Sequence, residues 1–192
     1  MNANTAKVLI FTGEGKGKTT AALGLAVAAA AQGRKAVMVQ FLKGGGYTGE
    51  LFAQQQLAPG LVIRQFGYGC PIATDIKSGA KQCIKCGECF RENRNPVHDY
   101  AGQALAFANE VLLTGKTDLV VLDEISHAIR HRLLAVEQVI ELIANRPSQV
   151  DLVLTGRNMP AALLALADRV TECRVVKHPL QAGIDARRGS EY

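Results

Sequence analysis

Short aliphatic and β-branched runs alternate along this chain with longer stretches whose apolar positions follow a helical spacing. The runs are Val8–Phe11, Ala36–Phe41, Leu61–Gln65, Leu119–Leu122, Leu152–Thr155 and Arg174–Lys177. Between them the pattern predicts helices over Thr19–Gln32, Gly49–Leu57, Val97–Thr114, Ala135–Asn145 and Pro160–Ala167. Strands that are apolar at nearly every position belong to a mostly parallel sheet covered by helices on both faces. The expected class is therefore α/β, with ligands beyond the carboxyl ends of the strands. An antiparallel edge stays open for the last strand. One stretch breaks the alternation: residues 67–96 are rich in Gly, Cys, Lys and Asn, lack a clear period, and exceed an ordinary connection in length.

Composition narrows the class. With 192 residues, 48% of them hydrophobic and 20% charged, the chain reads as one globular domain spanning residues 1–192, with 67–96 as an insert within it. The net charge of +5 suits a polyanionic ligand, but the cations are scattered without interleaved aromatics, so no nucleic-acid groove is expected. The longest low-polarity stretch, Ala21–Ala31, is too short to span a bilayer. The residues before the first strand lack a basic leader and a cleavage site, so a cytoplasmic protein is expected. In that setting five cysteines read as metal or cluster thiolates before they read as disulfides.

The first strand runs into Thr12-Gly13-Glu14-Gly15-Lys16-Gly17-Lys18-Thr19-Thr20 and then a helix. Glycines let successive backbone N–H groups turn around phosphate oxygens, and the helix N-terminus adds partial positive charge. Lys18 supplies a counter-charge and Thr19 a Mg²⁺ ligand. Thr12 stands where the strict Walker A spacing has glycine, so the loop is a variant. An acidic residue ending a neighbouring strand completes such a site, and Asp123-Glu124 after Val120-Val121-Leu122 fits. Which of the two carboxylates touches the ion stays open.

The blocks Gly13–Ala22, Val39–Gly44, Leu122–Glu124, Thr155–Arg157, Val176–His178 and Gly183–Tyr192, in order along the chain, resemble the P-loop type of ATP:corrinoid adenosyltransferase. The resemblance implies a RecA-like core, a homodimer, and transfer of the 5′-deoxyadenosyl group of ATP to Co(I) of a corrinoid, with triphosphate released. It implies that ATP lies reversed in the loop relative to ordinary P-loop enzymes. Co(I) is itself a strong nucleophile, so no base-activated Ser, Cys or His is needed. Catalysis then rests on Lys18, Thr19 and Glu124, with ATP held by Gly13, Gly15, Lys16, Gly17, Lys18, Thr19, Thr20 and Arg157, and Mg²⁺ by Thr19, Asp123 and Glu124. Arg157 reads equally as a phosphate or corrinoid contact and as a surface residue. His178 reads as structural, and His127 and His131, one turn apart, form no trusted metal pattern.

The resemblance stops at the insert. Family members carry Gly-x-Gly-Phe and, two residues on, Trp after the third strand, aromatics implicated in displacing the lower cobalt ligand. Here Gly67-Tyr68-Gly69-Cys70-Pro71-Ile72 puts Cys and Ile at those positions. The family's N-terminal extension is also missing. Cys70 with Cys83, Cys86 and Cys89 is similar to the ligand run of a [4Fe–4S] cluster, with structural Zn²⁺ as the main rival. Such a centre either orders the long loop or passes an electron to cobalt; an unidentified electron donor is expected in any case. Cys173 reads as an ordinary buried cysteine. Two other functions compete: a P-loop nucleoside kinase with a zinc lobe, which would yield ADP, and a redox-sensing ATP-binding protein without corrinoid turnover.

Overall fold

The computed structural model describes residues 6–45, 49–57, 59–83 and 88–177. Cys86, His178 and the block Gly183–Tyr192 lie outside them. The described chain runs β1 (Val8–Thr12), α1 (Lys18–Ala31), β2 (Ala36–Phe41), α2 (Gly49–Leu57), β3 (Leu61–Phe66), α3 (Ala73–Lys77), a 3-10 helix (Glu88–Arg94), α4 (Tyr100–Leu113), β4 (Leu119–Asp123), α5 (Ile125–Arg130), α6 (Val136–Asn145), β5 (Asp151–Thr155), α7 (Ala161–Leu164) and β6 (Arg169–Glu172). The strands form one sheet in the order β3-β2-β4-β5-β1-β6. Every pairing is parallel, which makes the sheet an α/β core consistent with a RecA-like P-loop domain.

Side chains alternate between two cores because strand residues point to opposite faces with period two. Val8, Ile10, Val37, Val39, Val120, Leu122, Leu152 and Leu154 face the layer that contains α4 to α7. Phe11, Met38, Val121 and Val153 face α1, whose Ala22, Ala26 and Ala29 let the helix approach the sheet closely. Both faces are thereby buried, as the near-continuous apolar strands require.

The last strand departs from expectation. Arg174–Lys177 is not a strand; β6 is Arg169–Glu172, parallel to β1 and exposed along its length. Its polar, charged alternation is that of an edge strand, whose side chains discourage further pairing, so apolar patterning did not reveal it. Cys173, one residue beyond, is only partly buried, and its carbonyl accepts a hydrogen bond from Gly15 N–H at 2.7 Å.

The segment without a period contains the short helix α3 and the 3-10 helix. Buried Asn93 pins the latter to the sheet: its Oδ1 accepts from Tyr68 N–H at 2.6 Å and its Nδ2 donates to the carbonyls of Leu42 and Tyr68 at 3.2 and 3.3 Å. The loops following β2 and β3 meet backbone to backbone there. A Cβ on Gly69 would lie 2.2 Å from the Gly44 carbonyl, whereas one on Gly24 in α1 would meet nothing within 4 Å. Gly69→Ala is therefore expected to cost about 1–3 kcal/mol, and Gly24→Ala to be neutral or to stabilise by up to about 1 kcal/mol. Urea midpoints of the two variants check this, and equal effects would contradict the packing account.

Candidate functional site

The carboxyl ends of the strands carry a cavity of about 430 Å³, bordered by the phosphate loop from Glu14 to Thr19 and by Leu42, Lys43, Phe90, Glu124, His127, Arg130 and Arg157. Its volume is that of a small-molecule site. Of the residues expected from sequence, Gly15, Lys16, Gly17, Lys18, Thr19, Glu124 and Arg157 border it. Gly13, Thr20 and Asp123 do not: Gly13 and Asp123 lie behind the wall, and Thr20 is exposed on α1.

The loop is shaped by close backbone approach. Gly17 has φ 104° and starts α1 without a side-chain cap or an acidic residue in the first turn, so the helix N-terminus is left for an anion. A Cβ at Gly13 or Gly15 would collide with the Cys173 carbonyl, at 2.5 and 2.7 Å. Lys18 curls back, its Nζ donating to the carbonyls of Gly13 and Gly15 at 2.7 and 2.6 Å. Burial, then the charge of Arg157, lowers its pKa. An ammonium held among carbonyls and short of anions is set to gain a polyphosphate.

Asp123 is fully buried at the end of β4 and organises the floor. Its Oδ1 accepts from Thr19 Oγ1 at 2.8 Å and Thr155 Oγ1 at 2.7 Å. Its Oδ2 accepts from Gln40 Nε2 at 3.0 Å and Lys43 Nζ at 2.8 Å. Gln65 donates in turn to Gln40 Oε1 at 2.9 Å, so one hydrogen-bonded line crosses β3, β2, β4 and β5. Burial opposes the charge of Lys43, but the Asp123 carboxylate, with Glu50 and Glu124, outweighs it and raises the pKa. Residue type alone gives Gln40, Lys43 and Thr155 no role; only a fold that brings the strand ends together supplies one.

Glu124 is the carboxylate that borders the cavity. Its backbone is left-handed, φ 62°, and its N–H donates to Thr155 Oγ1 at 3.0 Å. That strain at a non-glycine residue is sustained by the contacts around it. Burial first, then the adjacent Asp123 charge, raises its pKa. Glu124 and Thr19 thus put hard oxygen donors of the kind Mg²⁺ takes on one cavity lining, with Asp123 behind them.

Beyond Glu124, Ser126 Oγ donates to the Arg157 carbonyl at 2.6 Å, fixing the loop that carries that guanidinium. His127 and His131 are hydrogen-bonded through Nε2 atoms 2.8 Å apart, one ring donating and the other accepting. Burial, His131 and the guanidiniums of Arg130, Arg94 and Arg157 lower the His127 pKa to about 4. The pair is thus a neutral, paired element of the wall.

The thiols are partly assembled. Cys89 has its pKa raised by burial, then by the charge of Cys70 and a side-chain hydrogen bond with it, and further by Cys83. Among the described residues no set of three His, Cys, Asp or Glu side chains is arranged to hold a metal ion. Nor is any helix among them long and apolar enough to cross a membrane.

The sequence model of the ATP:corrinoid adenosyltransferase BtuR/CobO/CobP family matches residues 4–192. The chain belongs to that family. It is 33% identical to the corrinoid adenosyltransferase of Escherichia coli K12 over 186 residues, 96% of this chain and 85% of that one. It is equally identical, at 33% over 189 residues, to the corrinoid adenosyltransferase of a Sinorhizobium species, covering 96% of this chain and 79% of the other. The corrinoid adenosyltransferase CobA of Salmonella typhimurium is 33% identical over 186 residues, 96% and 85% of the two chains.

The environment of Glu124 has a measurable consequence. Folding raises its pKa above the ordinary 4.5, so its stabilising contribution is complete below that value and is lost as pH rises through the folded pKa. In buffer free of nucleotide and magnesium, Glu124→Gln is expected to raise Tm at pH 8 and to match wild type below pH 4.5. A constant offset between the two melting curves across that range would show the carboxyl is not disfavoured by burial.

Proposed function

We propose that this adenosyltransferase-family chain moves the 5′-deoxyadenosyl group of ATP onto Co(I) of a corrinoid, in the formation or salvage of adenosylated corrinoid. The electron pair of Co(I) forms the Co–C bond as the bond between C5′ and its phosphate oxygen breaks, and triphosphate leaves with the electron pair of that broken C–O bond. The observation that carries the reading is the character of the cavity in a member of this family. Its described lining offers backbone N–H groups, Lys16, Lys18, Lys43 and Arg157 for a polyphosphate. Ser126 is committed to the Arg157 carbonyl and His127 to His131, so neither is paired as nucleophile and base. Such a site suits a reaction whose nucleophile arrives with the substrate.

The roles follow from position. Lys18 leaves its two loop carbonyls to meet the triphosphate, whose developing charge it and the amides of Gly15–Thr20 stabilise. Gly13 shapes the loop, while Lys16 and Arg157 add counter-charge from the two sides of the mouth. Thr19 and Glu124 would hold Mg²⁺, with Asp123 behind them fixing the Thr19 hydroxyl; the bound ion supplies charge neutralisation at the phosphates. The Thr20 side chain, exposed on the first turn of α1 and off the cavity lining, takes no part beyond its backbone amide.

A sulfur-ligated metal centre belongs to the same proposal. Cys70, Cys83 and Cys89 come from three separate stretches, and burial, then Cys70 and Cys83, disfavour ionisation of the Cys89 thiol. A soft cation would reverse that penalty, and the spacing brings Cys86 as the fourth ligand. Its part is to order the insert, as a [4Fe–4S] cluster or as Zn²⁺. Homodimerisation, a partner that reduces cobalt, and a cytoplasmic setting are carried by the family resemblance and the sequence pattern.

With cob(I)alamin or cobinamide reduced to Co(I) and Mg-ATP, adenosylated corrinoid and stoichiometric triphosphate are expected. ADP with no adenosylated product would replace the reading with a kinase. Lys18→Ala should lower kcat at least a hundredfold, the loss of about 3 kcal/mol typical of a preorganised charge donor; a near-normal rate would remove Lys18 from the mechanism. Anaerobic iron, zinc and sulfide analysis should find either iron with sulfide or one zinc per chain, and a metal-free, fully active protein would dismiss the thiol centre.

A further inference from the structure

Phe90 follows Cys89 in the 3-10 helix, and its position is unusual for an aromatic. It borders the cavity yet is 59% exposed. The other large apolar residues on that lining, Phe41 and Leu42, are buried. Phe90 is thus the large apolar side chain that the cavity mouth presents to solvent among the described residues.

Its placement is fixed. Asn93, one turn along, clamps the 3-10 helix to the carbonyl of Leu42 and the backbone of Tyr68, in the loops after β2 and β3. The phosphate loop stands after β1, separated from β2 by β5 and β4. Three strand spacings, roughly 14 Å, therefore divide the two ends of the cavity. One end is cationic and lined with backbone donors; the other carries an exposed aromatic face.

Size assigns the occupants. A cavity of about 430 Å³ accommodates one small ligand, and the glycine loop with Lys18 claims it for the nucleotide. A macrocycle much wider than a nucleotide then approaches from the open side, where the first apolar group it meets is Phe90. We propose that Phe90 packs against the apolar face of the corrin macrocycle and positions it over the mouth of the nucleotide cavity. An aromatic ring suits this role because it buries a large flat area and makes offset contact with another conjugated plane. The proposal rests on the adenosyl-transfer reading and adds a substrate contact from the insert to it.

Binding measured apart from turnover tests it. Hydroxocobalamin and dicyanocobinamide are titrated by equilibrium dialysis against wild type and Phe90→Ala, with ATP titrated separately and the fold of each checked by its melting curve. Phe90→Ala is expected to weaken corrinoid binding at least tenfold and to leave ATP binding within twofold. Because the chain has no tryptophan, Phe90→Trp adds a single fluorophore. It is expected to restore corrinoid affinity and to lose most of its emission at corrinoid saturation. Weakened ATP binding with corrinoid affinity intact would reassign Phe90 to the adenine and overturn the proposal, as would no change in either. A wild type that binds corrinoid in a Phe90-dependent way but forms no adenosylated product would overturn the transfer reading and uphold the contact.

Discussion

The site depends on one buried carboxylate. Asp123 sits where β4 ends, without solvent, and an ion there is tolerated only if its oxygens are fully engaged. Thr19, Thr155, Gln40 and Lys43 engage them from α1, β5, β2 and the loop beyond β2. Each donor arrives because the strands are in parallel register, with Gln40 opposite both Asp123 and Gln65. The charge thus penalises any arrangement in which those strand ends part. This stabilisation is conditional: the network holds the ends together only while every partner is present, and removal of one leaves a desolvated group unpaired.

From that node the rest of the cavity takes its form. Thr19 is tied to Asp123, so the start of α1 and the preceding glycine turn are fixed relative to β4. Glu124, next in the chain, is turned into a left-handed backbone with its N–H on Thr155, and its side chain borders the cavity. The two adjacent carboxylates have opposite situations. One is satisfied by four donors, and the other is held by burial and its neighbour in a state that favours a proton or a cation. Residue types alone do not separate the two; in the fold Asp123 is the buried one and Glu124 the one on the cavity lining.

Most of the sheet was legible because its strands are apolar on both faces and flanked by helical spacing. Ala36–Phe41 and Gly49–Leu57 have the expected bounds, and the other shared strands differ by a residue or two. What escaped was physically different. β6 is exposed and polar, so it carries no burial signal; α5 is too short for a periodic pattern; the 3-10 helix is held by Asn93 and not by an apolar stripe. The site divides the same way. Glycines and the Lys-Thr pair announce a phosphate loop through local chemistry, but Thr155 and Lys43 acquire meaning only through contact with Asp123, more than thirty residues away in sequence.

Residues 67–96 show how a region with little apolar content borders the site. Its order comes from polar and backbone contacts: Asn93 on two loops, Gly67 against Leu42, Gly69 against Gly44. Those contacts spend the glycines of Gly67-Tyr68-Gly69 on close approach of backbone to backbone. Cys70 follows it directly and lies in contact with Cys89, while Phe90 comes next in the chain. The Cys70 thiol therefore meets the 3-10 helix at the point where an aromatic reaches the cavity mouth. Cys89 and Phe90 are consecutive, so the contact of Cys70 with Cys89 and the aromatic at the cavity mouth share one stretch of backbone.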